Sequence, residues 1–255
     1  MYRIVFLDID ETILNSQGQL DAKLIGTIQE VQKKGILVAL ATGRSLEGAE
    51  IYGEQLGVSK YVTYNGGYVI SHNQIVHDVK IPSKLAHNLC NKTNELNGVF
   101  IHFSYSSSQS NHTPPEIEYL LPIAKPSTVD DTNHDAHRLV LYLEANHRAS
   151  LRKEIKNVAI FDEGDRLEIF PQGSKWSGIS PLIKQLGISP NEVITIGNGT
   201  NDIEMLKEAG LGIAMGNASE TVKKSANWVT ADNDHHGVTL ALSKVFELNI
   251  NELIF

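Results

Sequence analysis

The chain of 255 residues reads as an α/β protein, a Rossmann-like doubly wound parallel sheet whose core is interrupted by an inserted α+β domain. Three observations predict this. Ile4 to Leu7 and Ile36 to Ala41 are unbroken apolar runs and Val193 to Ile196 is apolar but for Thr195, the pattern of strands buried on both faces of a parallel sheet. Strand and helix patterns alternate at both ends of the chain, which calls for helices on both faces of that sheet. Between about Ile81 and Gln172 the character changes to alternating strands and a loop rich in Ser, Asn and Pro.

The elements are expected in this order. After the first strand, Leu20 to Lys34 is expected as a helix stopped by Gly35. The second strand leads into a helix from Ser45, an N-cap candidate with Glu47 in the first turn, to Leu56, stopped by Gly57. Tyr68 to His77 reads as a hairpin turning at His72-Asn73. Pro82 opens a helix to about Leu96, and Val99 to Tyr105 alternates as a half-exposed strand does. Ser106 to Pro126, with Pro114-Pro115, is expected as a long loop around one or two helical turns. Strands are expected at Arg138 to Leu143, Val158 to Phe161 and Arg166 to Phe170, with a helix near Ala149 to Lys156. The core then resumes with a helix from Ser174 to Leu186, stopped by Gly187, the Val193 strand, and a helix from Asn201 to Ala209. A short strand at Leu211 to Met215, a capped helix at Ser219 to Ser225, an edge strand at Trp228 to Thr230 and a helix from Val238 to Glu247 complete the series. The domain plan is therefore 1–80 and 173–255 for the core and 81–172 for the insertion.

Composition narrows the function. The chain is 41% apolar and 20% charged, an ordinary soluble globule, and long enough to bury a core. Its formal net charge of −8 argues against a basic nucleic-acid-binding surface. The lone Cys90 excludes an intramolecular disulfide and suits a reducing cytoplasm. Arg3 is followed by only four apolar residues before Asp8, so no signal peptide is expected. No apolar stretch approaches the roughly 20 residues of a membrane helix. A cytoplasmic protein without nucleic-acid or membrane partners is expected, its oligomeric state open between monomer and homodimer.

Polar clusters sit where the buried strands end. The first strand delivers Asp8-Ile-Asp10-Glu-Thr12, two carboxylates one residue apart. Ligands of parallel sheets bind beyond the carboxyl ends of the strands. Acids gathered there lose hydration and repel unless a cation or a proton compensates. By itself the pair also fits an Asp-rich turn in which Asp10 caps the next segment. The second strand ends in Thr42-Gly43-Arg44, Lys175 stands in the first turn of a helix, and the Val193 strand ends in Gly197-Asn198-Gly199-Thr200-Asn201-Asp202. Singly, Thr42 is a helix cap and Lys175 a solvated charge. Four clusters in this order are a strong signal, and Asn65-Gly66-Gly67 adds to it.

This series of motifs resembles the haloacid dehalogenase-like phosphohydrolases, in particular the Cof-type group with a large inserted cap, over nearly the whole chain. The resemblance implies a magnesium-dependent phosphatase of a small phosphorylated metabolite, a sugar phosphate or nucleotide, working through an aspartyl-phosphate intermediate. It implies that Asp8 is the nucleophile and Asp10 the acid and base, although spacing alone does not say which acid does which. It assigns Thr42, Gly43, Arg44, Asn65 and Asn201 to phosphate or substrate. Lys175 becomes a point charge that also keeps Asp8 ionised, and Mg2+ is surrounded by Asp8, the backbone carbonyl of Asp10, position 198 and Asp202. The chain departs from the family pattern at Asn198, where Asp is usual. An amide oxygen brings a dipole instead of a charge, so weaker magnesium affinity is expected, with Asp202 completing the shell directly or through water. The same departure supports an alternative, a catalytically weakened protein that binds a phosphorylated ligand as sensor or regulator. A phospho-acceptor switch of the response-regulator kind is a third reading, opposed by the insertion and by Asp10.

Lesser features have plain expectations. Glu11 is expected to point to solvent, and Arg44 contacts either a substrate anion or a core acid. Of His102, His134, His137, His147, His235 and His236, only His134-Asp-Ala-His137 has a spacing reminiscent of a metal site, and surface or cap positions are expected for them. Trp176 and Trp228 are expected in packing. Specificity is expected from cap side chains, from Ser104 to Thr113 or from His134 to Arg138.

Overall fold

The computed structural model describes residues 1–105, 107–112 and 124–249. Its elements are β1 (Ile4–Leu7), α1 (Ala22–Lys33), β2 (Leu37–Ala41), α2 (Leu46–Leu56), β3 (Lys60–Thr63), β4 (Tyr68–Ser71) and β5 (Gln74–Asp78). Next come α3 (Ser83–Glu95), β6 (Val99–Ser104), β7 (Ser107–Ser110), β8 (Lys125–Pro126), β9 (Arg138–Tyr142), α4 (Ala145–Glu154), β10 (Val158–Asp162) and β11 (Arg166–Pro171). The chain continues with α5 (Lys175–Gln185), β12 (Val193–Gly197), α6 (Ile203–Glu208), β13 (Leu211–Ala214), α7 (Glu220–Lys223), β14 (Trp228–Val229) and α8 (Gly237–Phe246). Two compact units result. One holds Met1–Gly43, Ala49–His77 and the chain from Ser174, and the other Arg44–Gly48 and Asp78–Gly173.

The first unit is built on a sheet of order β14-β13-β12-β1-β2-β3-β4-β5. Pairing is parallel from β14 to β3 and turns antiparallel at β4. Ile4 pairs with Val193 on one side and Leu37 on the other, so β1 lies in the middle, where its continuous apolar sequence is buried. Ile4 and Phe6 face Ile179, Leu182 and Ile183 of α5 and Met205 of α6. Helices α1 and α8 pack on each other, and α1 contacts β2. The chain leaves β1 toward β2 on one side and returns to β12 on the other, which makes the carboxyl end of β1 the topological switch point. The β4–β5 hairpin turns at His72 and Asn73, both left-handed with φ of 47° and 61°, as a type I′ turn requires.

The second unit carries a sheet of order β10-β11-β9-β6-β7-β8, antiparallel except between β7 and β8. Ala86, Leu89 and Cys90 of α3 and Leu151 of α4 pack on one face, against Phe100, Leu139, Leu141, Leu167 and Ile169. Three expectations need correction. Strand β6 is covered on both faces, with His102 wholly buried, so its polar alternation does not report exposure. Helix α4 begins at Ala145, because its polar first turn lacks the apolar periodicity that marks a helix. Ser107–Ser110, expected in a loop, pairs with β6 as a strand. Position 106 and 113–123 of that expected loop lie outside the described residues. In the first unit, Ser219 precedes α7 but makes no side-chain cap bond.

Two glycines bring α5 against the end of β3. Gly66, at φ 97°, leaves no room for a Cβ, which would sit 2.0 Å from the Ser174 carbonyl oxygen. A Cβ on Gly178 would sit 2.7 Å from Gly66 Cα and 2.8 Å from Val62 Cγ1. Gly178→Ala is accordingly expected to destabilise the protein by about 1–3 kcal/mol in chemical denaturation, as overpacking does. Unchanged stability would mean that α5 can move away from the turn.

Candidate active site

Asp8 is the first residue beyond β1, and its N–H donates to the Ile196 carbonyl at 3.0 Å, so the sheet still holds it there. Its buried Oδ1 accepts from Lys175 Nζ at 2.5 Å. Lys175 opens α5, behind the N-cap Ser174, and its ammonium also donates to Asp202 Oδ1 at 2.6 Å. Asp202 Oδ2 in turn accepts the backbone N–H of Asn198 at 3.0 Å and of Gly199 at 2.8 Å. The loop can fold back in this way because residue 197 is glycine. A Cβ there would lie 2.5 Å from the Asp202 carboxyl carbon.

The Asp8–Thr12 loop closes the other side. Asp10 and Glu11 have non-helical backbone, Glu11 at φ 53° and ψ 17°, and both are exposed. The Thr12 hydroxyl lies 2.9 Å from Asn198 Oδ1 and 3.2 Å from Asp8 Oδ2, its single proton shared between them. Asn198 Nδ2 donates to Glu11 Oε2 at 3.2 Å. The ends of β2 and β3 add the phosphate-side candidates. Asn65, at φ 52°, donates its N–H to the Thr42 carbonyl at 3.0 Å and accepts from Asn201 Nδ2 at 3.0 Å. A Cβ on Gly43 would lie 3.3 Å from Asn65 Oδ1. One set therefore links Asp8, Lys175, Asn198 and Asp202, with Asp10 near enough to act on the Asp8 charge, and a second links Thr42, Gly43, Asn65 and Asn201. Arg44, next after Gly43, is buried.

The charges do not balance. Burial pushes Asp8 up to about 7, the Asp202 carboxylate adds to the rise, Lys175 opposes it, and Asp10 raises it further. Burial works against the Lys175 charge, but Asp202 and Asp8 outweigh it and hold the ammonium protonated. Among the described residues the carboxylates of Asp8 and Asp202 share one ammonium, that of Lys175, and a further cation would offset the remaining negative charge. Asp8, Asp10 and Asn198 bear hard oxygens, which suit Mg2+. Among the described residues no group of three or more His, Cys, Asp or Glu side chains is gathered for a metal, since position 198 contributes an amide and Lys175 stands between Asp8 and Asp202. Asp202, expected near the metal, has both oxygens engaged. Its geometry is that of a pin holding Lys175 and the β12 loop.

Several residues escaped the sequence reading. Glu11 is exposed, as expected, yet it bonds Asn198, and Asn217 Nδ2 donates to its carbonyl at 2.9 Å. Asn233 Nδ2 donates to the Leu14 carbonyl at 3.0 Å, and Ser16 N–H to Asp234 Oδ1 at 2.8 Å. These partners are some 200 positions apart, and no local pattern announces them. In the second unit His137 is buried with Nε2 2.9 Å from Asp78 Oδ1, and buried His102 lies 3.1 Å from the His134 carbonyl. Of the surface or inserted-domain positions expected for the histidines, these two take the latter and are buried there. Trp176 packs on the core, and Trp228 takes Lys244 Nζ 4.4 Å from its ring centroid.

A family model of haloacid dehalogenase-like hydrolases matches residues 5–242. The chain belongs to that family. Among its relatives, the stress response protein YhaX of Bacillus subtilis is 28% identical, over 96% of this chain and 94% of that protein. The putative phosphatase YkrA of the same organism is 27% identical, over 95% and 97%. A solved haloacid dehalogenase-like hydrolase from Bacteroides thetaiotaomicron superposes with a TM-score of 0.88 at 26% identity, covering 96% of this chain and all of that one. The resemblance drawn from the motifs is thereby borne out, and so is the fold class, a parallel α/β core of the haloacid dehalogenase type.

The raised Asp8 pKa has a measurable consequence in chelated protein. Because the folded value, about 7, exceeds the ordinary 3.8, this group's stabilising contribution is full at low pH and is lost as pH rises through 7. Asp8→Asn removes that loss. With chelator present, its thermal midpoint is expected above wild type at about pH 8, the two converging near pH 4. A midpoint below wild type at about pH 8 would show that the ion pair with Lys175 outweighs burial.

Proposed function

We propose that this member of the family is a magnesium-dependent phosphatase of a small phosphorylated metabolite, with Asp8 as nucleophile. The observation that carries the reading is Lys175, buried between Asp8 and Asp202 at the carboxyl end of β1. The ammonium orients the Asp8 carboxylate and offers a positive charge to the transferring phosphoryl oxygens. Asp8 attacks phosphorus to form an aspartyl phosphate while Asp10, on the exposed loop, gives a proton to the departing alkoxide. Asp10 then takes a proton from water, the water oxygen attacks phosphorus, and the Asp8 carboxylate is released with inorganic phosphate. Asp8, the backbone carbonyl of Asp10 and Asn198 would hold Mg2+, with Asp202 completing the shell directly or through water, and the cation would supply charge neutralisation for the phosphate. Thr42, Gly43, Asn65 and Asn201 form the phosphate and substrate side, with Arg44 an additional substrate contact.

The inserted domain, 81–172 between core segments 1–80 and 173–255, is read as a cap that limits substrates to small metabolites such as sugar phosphates or nucleotides. Among the described residues no helix is long and apolar enough to cross a membrane. We read the protein as cytoplasmic. A binding-only sensor has no observation behind it beyond Asn198 itself.

Hydrolysis of para-nitrophenyl phosphate across a magnesium titration tests the proposal. Turnover is expected to disappear with chelator, and Asp8→Asn and Lys175→Met are each expected to reduce kcat by about a thousandfold or more. Turnover that survives chelation, or that persists in Asp8→Asn, would contradict it.

A further inference from the structure

We infer that Glu11 is a positioning residue for Asn198: its carboxylate fixes the side-chain amide so that the carbonyl oxygen, and not the NH2, faces Thr12 and Asp8. The inference deepens the metal-dependent reading above and rests on it for its functional consequence. An amide at position 198 is useful to a cation only in one of its two orientations. Asn198 Nδ2 donates to Glu11 Oε2 at 3.2 Å, and Oδ1 accepts from the Thr12 hydroxyl at 2.9 Å. Turning the amide over would set its carbonyl against the Glu11 carboxylate, two acceptors without a proton between them. Thr12 does not decide the orientation alone, because its hydroxyl could accept from the NH2 group and donate to Asp8 Oδ2, 3.2 Å away.

Glu11 is itself held in place. Its left-handed backbone, at φ 53° and ψ 17°, is uncommon for a residue with a side chain, and Asn217 Nδ2 donates to its carbonyl at 2.9 Å. The side chain therefore starts from a fixed base. The same geometry explains why this loop accepts an amide at 198. An Asp there would place a second carboxylate against that of Glu11, and like charges at such range oppose each other. Positions 11 and 198 form one unit, an acid paired with an amide, joined across 187 positions of sequence.

A double-substitution cycle tests this on the full-length protein. Mn2+ affinity is read from water-proton relaxation, and thermal midpoints are read in chelator. Glu11→Ala is expected to weaken Mn2+ binding by about tenfold by freeing the amide to turn. Glu11→Gln, which keeps an acceptor for Asn198 Nδ2, recovers most of that loss. In an Asn198→Asp background, whose two carboxylate oxygens are equivalent, Glu11→Ala costs less than about threefold. In chelator, Asn198→Asp lowers the midpoint when Glu11 is present and not when Glu11→Ala accompanies it. Equal effects of Glu11→Ala in both backgrounds, or no effect in either, would overturn the inference. Were no variant to bind Mn2+, the metal-dependent reading would fall, and the chelator midpoints would still decide the pairing. An Asn198→Asp penalty independent of residue 11 would refute it.

Discussion

One buried ammonium between two buried carboxylates organises the candidate site. Lys175 ties the start of α5 to the end of β1 through Asp8 and to the β12 loop through Asp202. Withdrawing such charges from water is costly, and their mutual attraction repays it only when hydrogen bonds satisfy the remaining atoms. Asp202 meets that condition with two backbone N–H donors as well as the lysine. Asp8 has one strong donor and a shared hydroxyl, which leaves it the less satisfied of the two acids. A carboxylate held in place and incompletely neutralised is what nucleophilic attack on phosphorus requires.

The surrounding fold serves this arrangement through close approach. The glycines at 66 and 178 let the N-terminus of α5 come against the β3 turn, and Gly197 lets Asp202 fold back under its own loop. Side chains at any of these positions would move Lys175 or its partner. The parallel order β12-β1-β2-β3 then places Asn198, Asp8, Thr42 and Asn65 after neighbouring strands. No single element makes the site. It exists where four strand ends and one helix start meet.

Much of this was legible in the sequence because the governing signals are local. Unbroken apolar runs mark central parallel strands, and a polar cluster after each such run marks a ligand-facing strand end. Asp8 and Asp202 stand in such clusters, while Lys175 is named through the resemblance of the whole motif series to a known family. Contacts between distant residues were not legible. Nothing near Glu11 indicates that its partner is Asn198, and nothing near Asn217 indicates that it holds the Glu11 carbonyl. The sequence does not show that Asp202 also holds Lys175 and two backbone N–H groups of its own loop. In the second unit, the polar alternation of β6 suggested exposure, but His102 sits in a buried array, where a hydrogen bond to the His134 carbonyl meets part of its polar demand. Alternation reports chemistry on two faces, not which faces are covered.

The most direct test of the account is to trap the covalent intermediate. The enzyme would be mixed with para-nitrophenyl phosphate and magnesium, quenched in acid within the first turnover, reduced with borohydride and digested for mass spectrometry. A phosphorylated aspartate is an acyl phosphate, and reduction converts it to a homoserine residue. The account predicts that conversion at Asp8, in an amount that rises with the substrate concentration. Turnover with Asp8 unmodified throughout, or with the label at Asp10 or Asp202, would contradict it.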